Sequence, residues 1–419
     1  LAITAAECRR IVWSLAAAVV FGCANPQPAV PPAGPLPGET NVQIGLMVGV
    51  PSVALGGDAA LTVTEPDGRR LFDIPAGEIW RATISGGSIA LATMAGVPVS
   101  SVTQARVAPA DSTAPVRVNG RLYRGTLVLL RDRTGLTVVN QVGLEAYLLG
   151  VVSGEMGRRE PSEREALKAQ AIVSRTYAVR NLGRWRADGF DLQPTVADQV
   201  YGGIGAETPE GRDAVSETRG QIVSWQGQPI DAFFFSTCGG RTADGVEVFP
   251  GADRPYLRSV PDIDPSGTPY CSISPRFRWH EEWTGDALRA VLRRSLPDVL
   301  GFPAARVTGV RDIRIAGRTP SGRVGQLTIA LDDDDVQVDG PRIRQVLRTT
   351  TGDILRSNTF TLSVSRSGRR LARLVADGGG NGHGVGLCQW GAVGRARMGQ
   401  DYRRILAAYY PGTELERLY

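Results

Sequence analysis

The sequence predicts an α+β protein with a β-rich N-terminal part, a central helix pair and a smaller α/β insertion lobe. Three observations carry that expectation. Short alternating apolar runs fill residues 42–139, the apolar period changes to that of a helix at Leu144, and a helix, strand, strand, helix pattern occupies the stretch between Trp283 and Thr350. With 419 residues, 42% of them hydrophobic and 21% charged, the chain can bury a large core, which excludes both a disordered chain and a polytopic membrane protein.

At the N-terminus, Arg9 and Arg10 precede the apolar run Ile11 to Phe21, a pattern of export-signal length that is too short to span a bilayer. Val20-Phe21-Gly22-Cys23 resembles a bacterial lipobox with Phe21 as an unusual filler, so Cys23 is the expected lipidation site and membrane anchor. An ordinary secretory signal cleaved nearby, or a start site placed too far upstream, are the other readings. Either signal places the protein outside the cytoplasm, in the cell envelope. Residues 1–22 thus read as signal peptide and 23–41 as a Pro-rich, semi-rigid linker.

Within 42–140, strands are expected at Val42–Val48, Leu61–Thr64, Ile79–Ile84, Val116–Val118, Leu127–Leu130 and Leu136–Val139. Leu144, Leu148 and Val151 then define one helix face, with Gly157 as the stop. Pro161, Ser162 and Glu165 form a capping-box signal for a second helix, whose stripe Leu167, Ala171, Ala178 and Leu182 runs to Gly183. A hairpin of Gln221–Trp225 and Ile230–Phe235 leads into Ser236-Thr237-Cys238-Gly239-Gly240. The core is expected to comprise 141–282 and 351–419, interrupted by the 283–350 lobe with elements at Asp286–Ser295, Val307–Ala316, Gln326–Asp332 and Pro341–Leu347. The acidic run Asp332–Asp335 lacks the alternating ligands and Gly of a calcium loop and reads as a solvated turn.

The net charge is +5, and Lys168 is the single lysine, with arginines scattered along the whole chain rather than clustered. That distribution argues against a nucleic-acid partner and suits a weak field toward an anionic wall polymer. In Asp377–Ala392, seven of sixteen residues are Gly and one His, one Cys and one Trp project from the segment. Close backbone approach is one reading, and a tight turn with a core histidine is the other. No Lys-Ser/Thr follows, so a phosphate cradle is excluded.

Four blocks, in order, carry a resemblance. They are Leu144–Met156; Ala166–Ala171 with Arg175-Thr176-Tyr177-Ala178; Ser236–Thr242; and Gly382-His383-Gly384-Val385-Gly386 with Gln389-Trp390-Gly391-Ala392. Together with Tyr409–Thr413 they are similar to the stage II sporulation protein D and amidase enhancer family. The resemblance implies a peptidoglycan-acting protein: a lytic transglycosylase that cuts glycan strands with Glu155 as its acid, or a non-catalytic binder that recruits a cell-wall amidase. It also implies that Arg175, Ser236, Thr237, His383, Gln389 and Trp390 contact substrate. Members commonly carry His where this chain has Phe235, so a role of that His is absent here or has moved to His383.

Glu155 suits an acid from its position alone. Four residues after Val151 and near the helix C-terminus, its carboxyl is expected on a buried face at the negative end of the helix dipole, both of which raise a carboxyl pKa. A lytic transglycosylase needs no second carboxylate and no cofactor, because the sugar's own 6-hydroxyl attacks once the Glu has protonated the leaving oxygen. The bland alternative is that Arg175, on the inner face of the next helix, neutralises Glu155. After Cys8 and Cys23, three cysteines remain, and with His383 they make a candidate zinc set of Cys238, Cys271, His383 and Cys388; one disulfide plus a free thiol is the equal alternative. His280, beside Trp279 and Glu281, reads as a surface residue.

Overall fold

The computed structural model describes residues 38–419. The signal peptide, Cys8, Cys23 and nearly all of the Pro-rich linker lie outside the described residues. The chain forms two compact units, 38–158 with 174–222 and 417–419, and 159–173 with 223–416. No helix among the described residues is long and apolar enough to cross a membrane.

The first unit is built on two six-stranded antiparallel sheets. One has the order 41–50, 136–143, 126–131, 104–109, 61–64, 70–74, and the other 121–123, 116–118, 52–56, 79–85, 88–93, 98–102. Every strand anticipated from apolar alternation is present, and alternate residues such as Val42 and Ile44, or Leu127 and Leu129, are fully buried. The added strands are short or rich in Ser, Ala and Thr, which dilutes the alternation. One of them had a legible signal: Asn119-Gly120, both at positive φ (45° and 84°), makes the two-residue turn joining Val116–Val118 to Arg121–Tyr123.

Strand 136–143 runs directly into helix α1 (Leu144–Met156), which ends at Gly157 as its spacing predicts. Helix α2 (Arg164–Arg180) follows a single 3-10 turn at Pro161–Glu163. The reciprocal cap there belongs to Glu160 and Glu163 rather than to Ser162 and Glu165, with Glu160 N–H donating to Glu163 Oε2 at 3.1 Å. The helix also stops before Leu182, which is 39% exposed, because Asn181 and Gly183 turn the chain away. The hairpin after Gln221–Trp225 is tighter than expected. Gln226-Gly227 form the turn, Gln228–Pro229 return, and Phe234–Phe235 leave to pair in parallel with Leu387–Cys388.

In the second unit, strand Arg278–Thr284 pairs with Arg370–Gly379, which pairs with Phe360–Ser367. The strands 310–318, 324–331 and 335–339 form a second antiparallel sheet, and helix Gly285–Leu300 is capped by Thr284 Oγ1 and by Gly301. One apolar core joins Trp283, Leu288, Leu292, Ile313, Ile329, Phe360 and Leu374. The lobe therefore extends past 283–350, since Trp279 before it and Phe360, Leu371, Leu374 and Ala376 after it share that core. The Asp332–Asp335 turn is lined with ion pairs to Arg370, Arg306 and Arg311.

Candidate functional site

In the first unit the site begins with close packing. A Cβ on Gly154 would lie 2.9 Å from the Val200 carbonyl oxygen, and one on Gly150 2.8 Å from the Tyr201 ring. These two glycines, one turn apart on α1, let the 198–203 segment lie against the helix backbone. The segment is pinned by Asp198, which accepts from Tyr177 Oη (2.9 Å), Trp185 Nε1 (2.7 Å) and the Gln193 N–H (2.8 Å), with Arg184 at 3.2 Å. So held, the Val200 N–H donates to Glu155 Oε1 at 2.7 Å. Glu155 is half-buried on the penultimate residue of α1. A preformed donor that fixes one carboxylate oxygen orients the other, which is what a positioned acid requires.

Arg175 does not neutralise Glu155. Its guanidinium is fully buried and pairs with Glu145, Nε to Oε1 at 2.8 Å and Nη2 to Oε2 at 2.7 Å, with Nη1 on the Gln221 carbonyl at 3.0 Å. Burial pushes the Glu145 carboxyl up, but Arg175, Tyr419 Oη and the Gly220 N–H together outweigh it, and the net shift is downward. Arg175 thus braces α1 against α2 from a position no solvent reaches.

In the second unit the Gly-rich segment closes on the Ser-Thr-Cys block. Thr237 and Asn381 exchange backbone hydrogen bonds at 3.0 and 2.8 Å, and the Trp390 N–H donates to the Ser236 carbonyl at 3.0 Å. Gly386 is required where it stands, since a Cβ there would meet the Phe233 carbonyl oxygen at 2.0 Å. Thr237 is buried, its hydroxyl 2.8 Å from that of Ser274, whereas Ser236 is half-buried. Gln389 is buried, and Trp390 is half-buried with the Arg159 guanidinium 4.4 Å over its ring. His280 is on the surface, 2.8 Å from Asp377.

The three cysteines come together as free, buried thiols, but their fourth partner is Asp262. One donor atom from each of Cys238, Asp262, Cys271 and Cys388 lies within 4.8 Å of every other. Cys238 Sγ is 3.4 Å from Cys271 Sγ and 3.2 Å from Asp262 Oδ2. His383 is a correction to the expected ligand set. Its Nε2–H donates to the Phe234 carbonyl at 2.8 Å and its Nδ1 accepts the Val385 N–H at 3.1 Å, so both nitrogens are engaged. Enclosure among Phe233, Phe235 and Phe249, then the charges of Arg344 and Arg323, push its pKa down to about 3. Phe235 packs its ring 5.3 Å from that of His383.

The donor set fits a tetrahedral metal such as zinc. Zn–S bonds of about 2.3 Å place sulfurs about 3.8 Å apart, a few tenths of an ångström beyond the Cys238–Cys271 contact. Backbone N–H groups already point at sulfur, Cys238 and Gly391 to Cys388 Sγ (3.1 and 3.2 Å) and Gly240 to Cys238 Sγ (3.3 Å). Asp262 is oriented by Arg395 (3.0 Å) and Tyr409 Oη (2.9 Å). Such outer partners fix a ligand and tune it. Neighbouring sulfurs and the Gly239 and Gly240 N–H groups push Cys271 down to about 3, while burial pushes Cys238 and Cys388 up. Those contacts favour a thiolate at Cys271, and a cation would be needed to hold all three sulfurs as thiolates. Asp262 had no sequence signal, because its only mark is the fold that brings it to the sulfurs.

Residues 132–225 match the family model for a stage II sporulation protein, and 270–386 match a domain of unknown function (DUF8618). An uncharacterized protein of Brachyspira hyodysenteriae is 32% identical over 299 residues, 71% of this chain and 73% of that protein. Stage II sporulation protein D of Bacillus subtilis is 30% identical over 68% of this chain and 77% of its own length. The amidase enhancer of the same organism is 27% identical over 64% of this chain and 40% of its own.

Proposed function

The chain belongs to the stage II sporulation protein D and amidase enhancer family, and from that premise we propose that it cleaves peptidoglycan glycan strands as a lytic transglycosylase in the cell envelope. The observation that carries this reading is the Glu155 carboxyl on α1, held at 2.7 Å by the Val200 N–H within the matched segment. Glu155 donates its proton to the glycosidic oxygen, and the departing sugar leaves as an alcohol. The 6-hydroxyl of the retained sugar attacks its own anomeric carbon and returns its proton to Glu155, giving a 1,6-anhydro end without consuming water. A single carboxylate serves both steps, in contrast to the pair that hydrolysis needs. Ser236 and Trp390, half-buried in the second unit, are in this proposal that unit's own contacts with the wall polymer. Arg175 and His383 are positioning residues, as their donors and acceptors are occupied inside the protein.

Zinc, when bound by Cys238, Cys271, Cys388 and Asp262, would supply a structural cross-link, because four protein donors leave no open position for chemistry. Acylation of Cys23, outside the described residues, would tether the enzyme to the membrane facing the wall. The similarity to an amidase enhancer supports a second reading, a glycan binder that stimulates a wall amidase. Digestion of purified glycan strands with mass spectrometry for 1,6-anhydro ends separates the two. Wild type should produce those ends and Glu155→Gln should not, with turnover down at least about a hundredfold and glycan binding kept. Full cleavage by Glu155→Gln would end the catalytic reading. No cleavage by wild type, with amidase stimulation intact, would install the binder.

A further inference from the structure

Outside the acid and the thiol cluster, the second unit encloses a cavity of about 30 Å³ between Arg323, Arg344, Glu247, Thr319, Asn358 and His383. Its charges do not balance from within. Arg323 is 4% exposed, and among the described residues its Nε has no hydrogen-bond partner; its Nη2 reaches only the Arg241 carbonyl at 3.3 Å. Arg344 donates Nε to the Leu355 carbonyl at 2.5 Å, and neither guanidinium makes an ion pair among the described residues. Glu247 is committed to Ser321, through its N–H at 3.0 Å and its hydroxyl. His383 is neutral, with both nitrogens engaged. Two cations and one anion therefore line the cavity, leaving an excess of one positive charge. Burying an unpaired guanidinium is costly enough that native proteins pair it.

We propose that this cavity binds one small monovalent anion, a halide or a carboxylate head, between Arg323 and Arg344. Size agrees with charge. A water-sized body needs about 10–15 Å³, so the cavity takes roughly two, the anion and one water. That water answers a second orphan, the buried Asn358 Oδ1, which among the described residues lacks a donor. Asn358 Nδ2 is already spent on the Val324 and Gly340 carbonyls at 3.2 and 2.9 Å. Burial, then the charge of Arg323, pushes Arg344 down to about 10, the direction expected of two like charges awaiting a counterion. Gly384 shapes the wall, since a Cβ there would lie 2.4 Å from Arg323 Cζ. This inference is independent of the glycan-cleaving reading.

The test is thermal unfolding of the full chain at constant ionic strength, with the sodium salt of a bulky sulfonate, 2-(N-morpholino)ethanesulfonate, replaced stepwise by chloride, formate or N-acetyl-D-alanine. Chloride and formate should raise the melting temperature saturably over the sulfonate, which has no carboxylate and is too large to enter. Arg344→Gln, at a half-buried position where the amide can keep the Leu355 bond, should weaken the apparent affinity at least tenfold. N-acetyl-D-alanine matching formate would identify a carboxylate borne by a larger ligand, and its failure a free ion. Equal melting temperatures in all salts, or an unchanged response in Arg344→Gln, would overturn the site. Should the variant not fold, bromide-soaked crystals of wild type decide alone: an anomalous peak between Arg323 and Arg344 supports the proposal, and an empty cavity refutes it.

Discussion

At the scale of single residues, Glu155 and His383 show how hydrogen bonding and burial decide what a titratable group can do. Glu155 accepts the Val200 N–H at a half-buried helix end. Glu155→Asp should therefore be nearly as poor a catalyst as Glu155→Gln, since removing one methylene withdraws the carboxyl by about an ångström from both the Val200 N–H and the reacting oxygen. Anhydro-end formation by the two variants, compared with wild type, checks this. His383 has both nitrogens spoken for and is held neutral. An unfolded histidine protonates near pH 6.5, the folded one only near 3, so between those values the unfolded chain binds more protons and stability falls as pH falls. The loss should reach up to about 1.4 kcal/mol per pH unit below 6.5. Arg323 and Arg344 face the ring and remain cationic throughout, so they do not add a slope of their own in this range. His383→Gln keeps a donor for Phe234 and an acceptor for Val385 without the titration. Urea denaturation at pH 7 and pH 5 should show a smaller pH loss in the variant than in wild type, and equal losses would exclude His383 as the source.

At the scale of elements, the decisive contact is α1 against the 198–203 segment. Gly154→Ala is favoured by helix propensity by up to about 1 kcal/mol, but its methyl would stand 2.9 Å from the Val200 carbonyl oxygen. That oxygen is backbone, and Asp198 holds the segment from three sides, so it cannot swing aside as a flexible side chain would. The clash should win, costing roughly 1–3 kcal/mol by the usual penalty of overpacking. It should also lower cleavage more than glycan binding, because the shifted Val200 N–H no longer orients Glu155. Chemical denaturation together with anhydro-end assays tests both halves. A Gly154→Ala protein more stable than wild type and fully active would show that the segment moves freely.

At the scale of the whole molecule, the thiol cluster joins stretches far apart in the chain: Cys238, Asp262, Cys271 and Cys388. A metal there would close long loops and tie strand Phe234–Phe235 and its partner Leu387–Cys388 to the 262–271 segment. Purified protein is expected to carry near-stoichiometric zinc by elemental analysis and to melt at a lower temperature after prolonged chelation, with recovery on zinc addition. Asp262→Asn should weaken metal retention while His383→Gln should not, which distinguishes the observed donor set from the one sequence suggested. A Cys238–Cys271 disulfide by mass spectrometry, with no metal present, would refute the zinc reading.

Periodicity and local chemistry by themselves determined the α+β class, the strands around Val42, Leu61, Ile79, Leu127 and Leu136, the start and stop of α1, and the lobe's helix and two main strands. These follow from alternation, helical spacing and turn residues, which act between near neighbours in the chain. Motif order alone pointed to the family and to Glu155. Local signals failed where several residues competed for one local role, as at Ser162, where Glu160 and Glu163 made the cap instead. The tertiary structure alone decided the partners of the long-range groups: Glu145 rather than Glu155 for Arg175, Asp262 rather than His383 beside the sulfurs, and Phe234–Phe235 paired with Leu387–Cys388 rather than with Trp225. Most are contacts between residues far apart in the chain, Cys238 and Asp262 being 24 positions from each other. Which carboxylate reaches a given guanidinium or thiol is set by how buried elements pack, and no pattern along the chain encodes that choice.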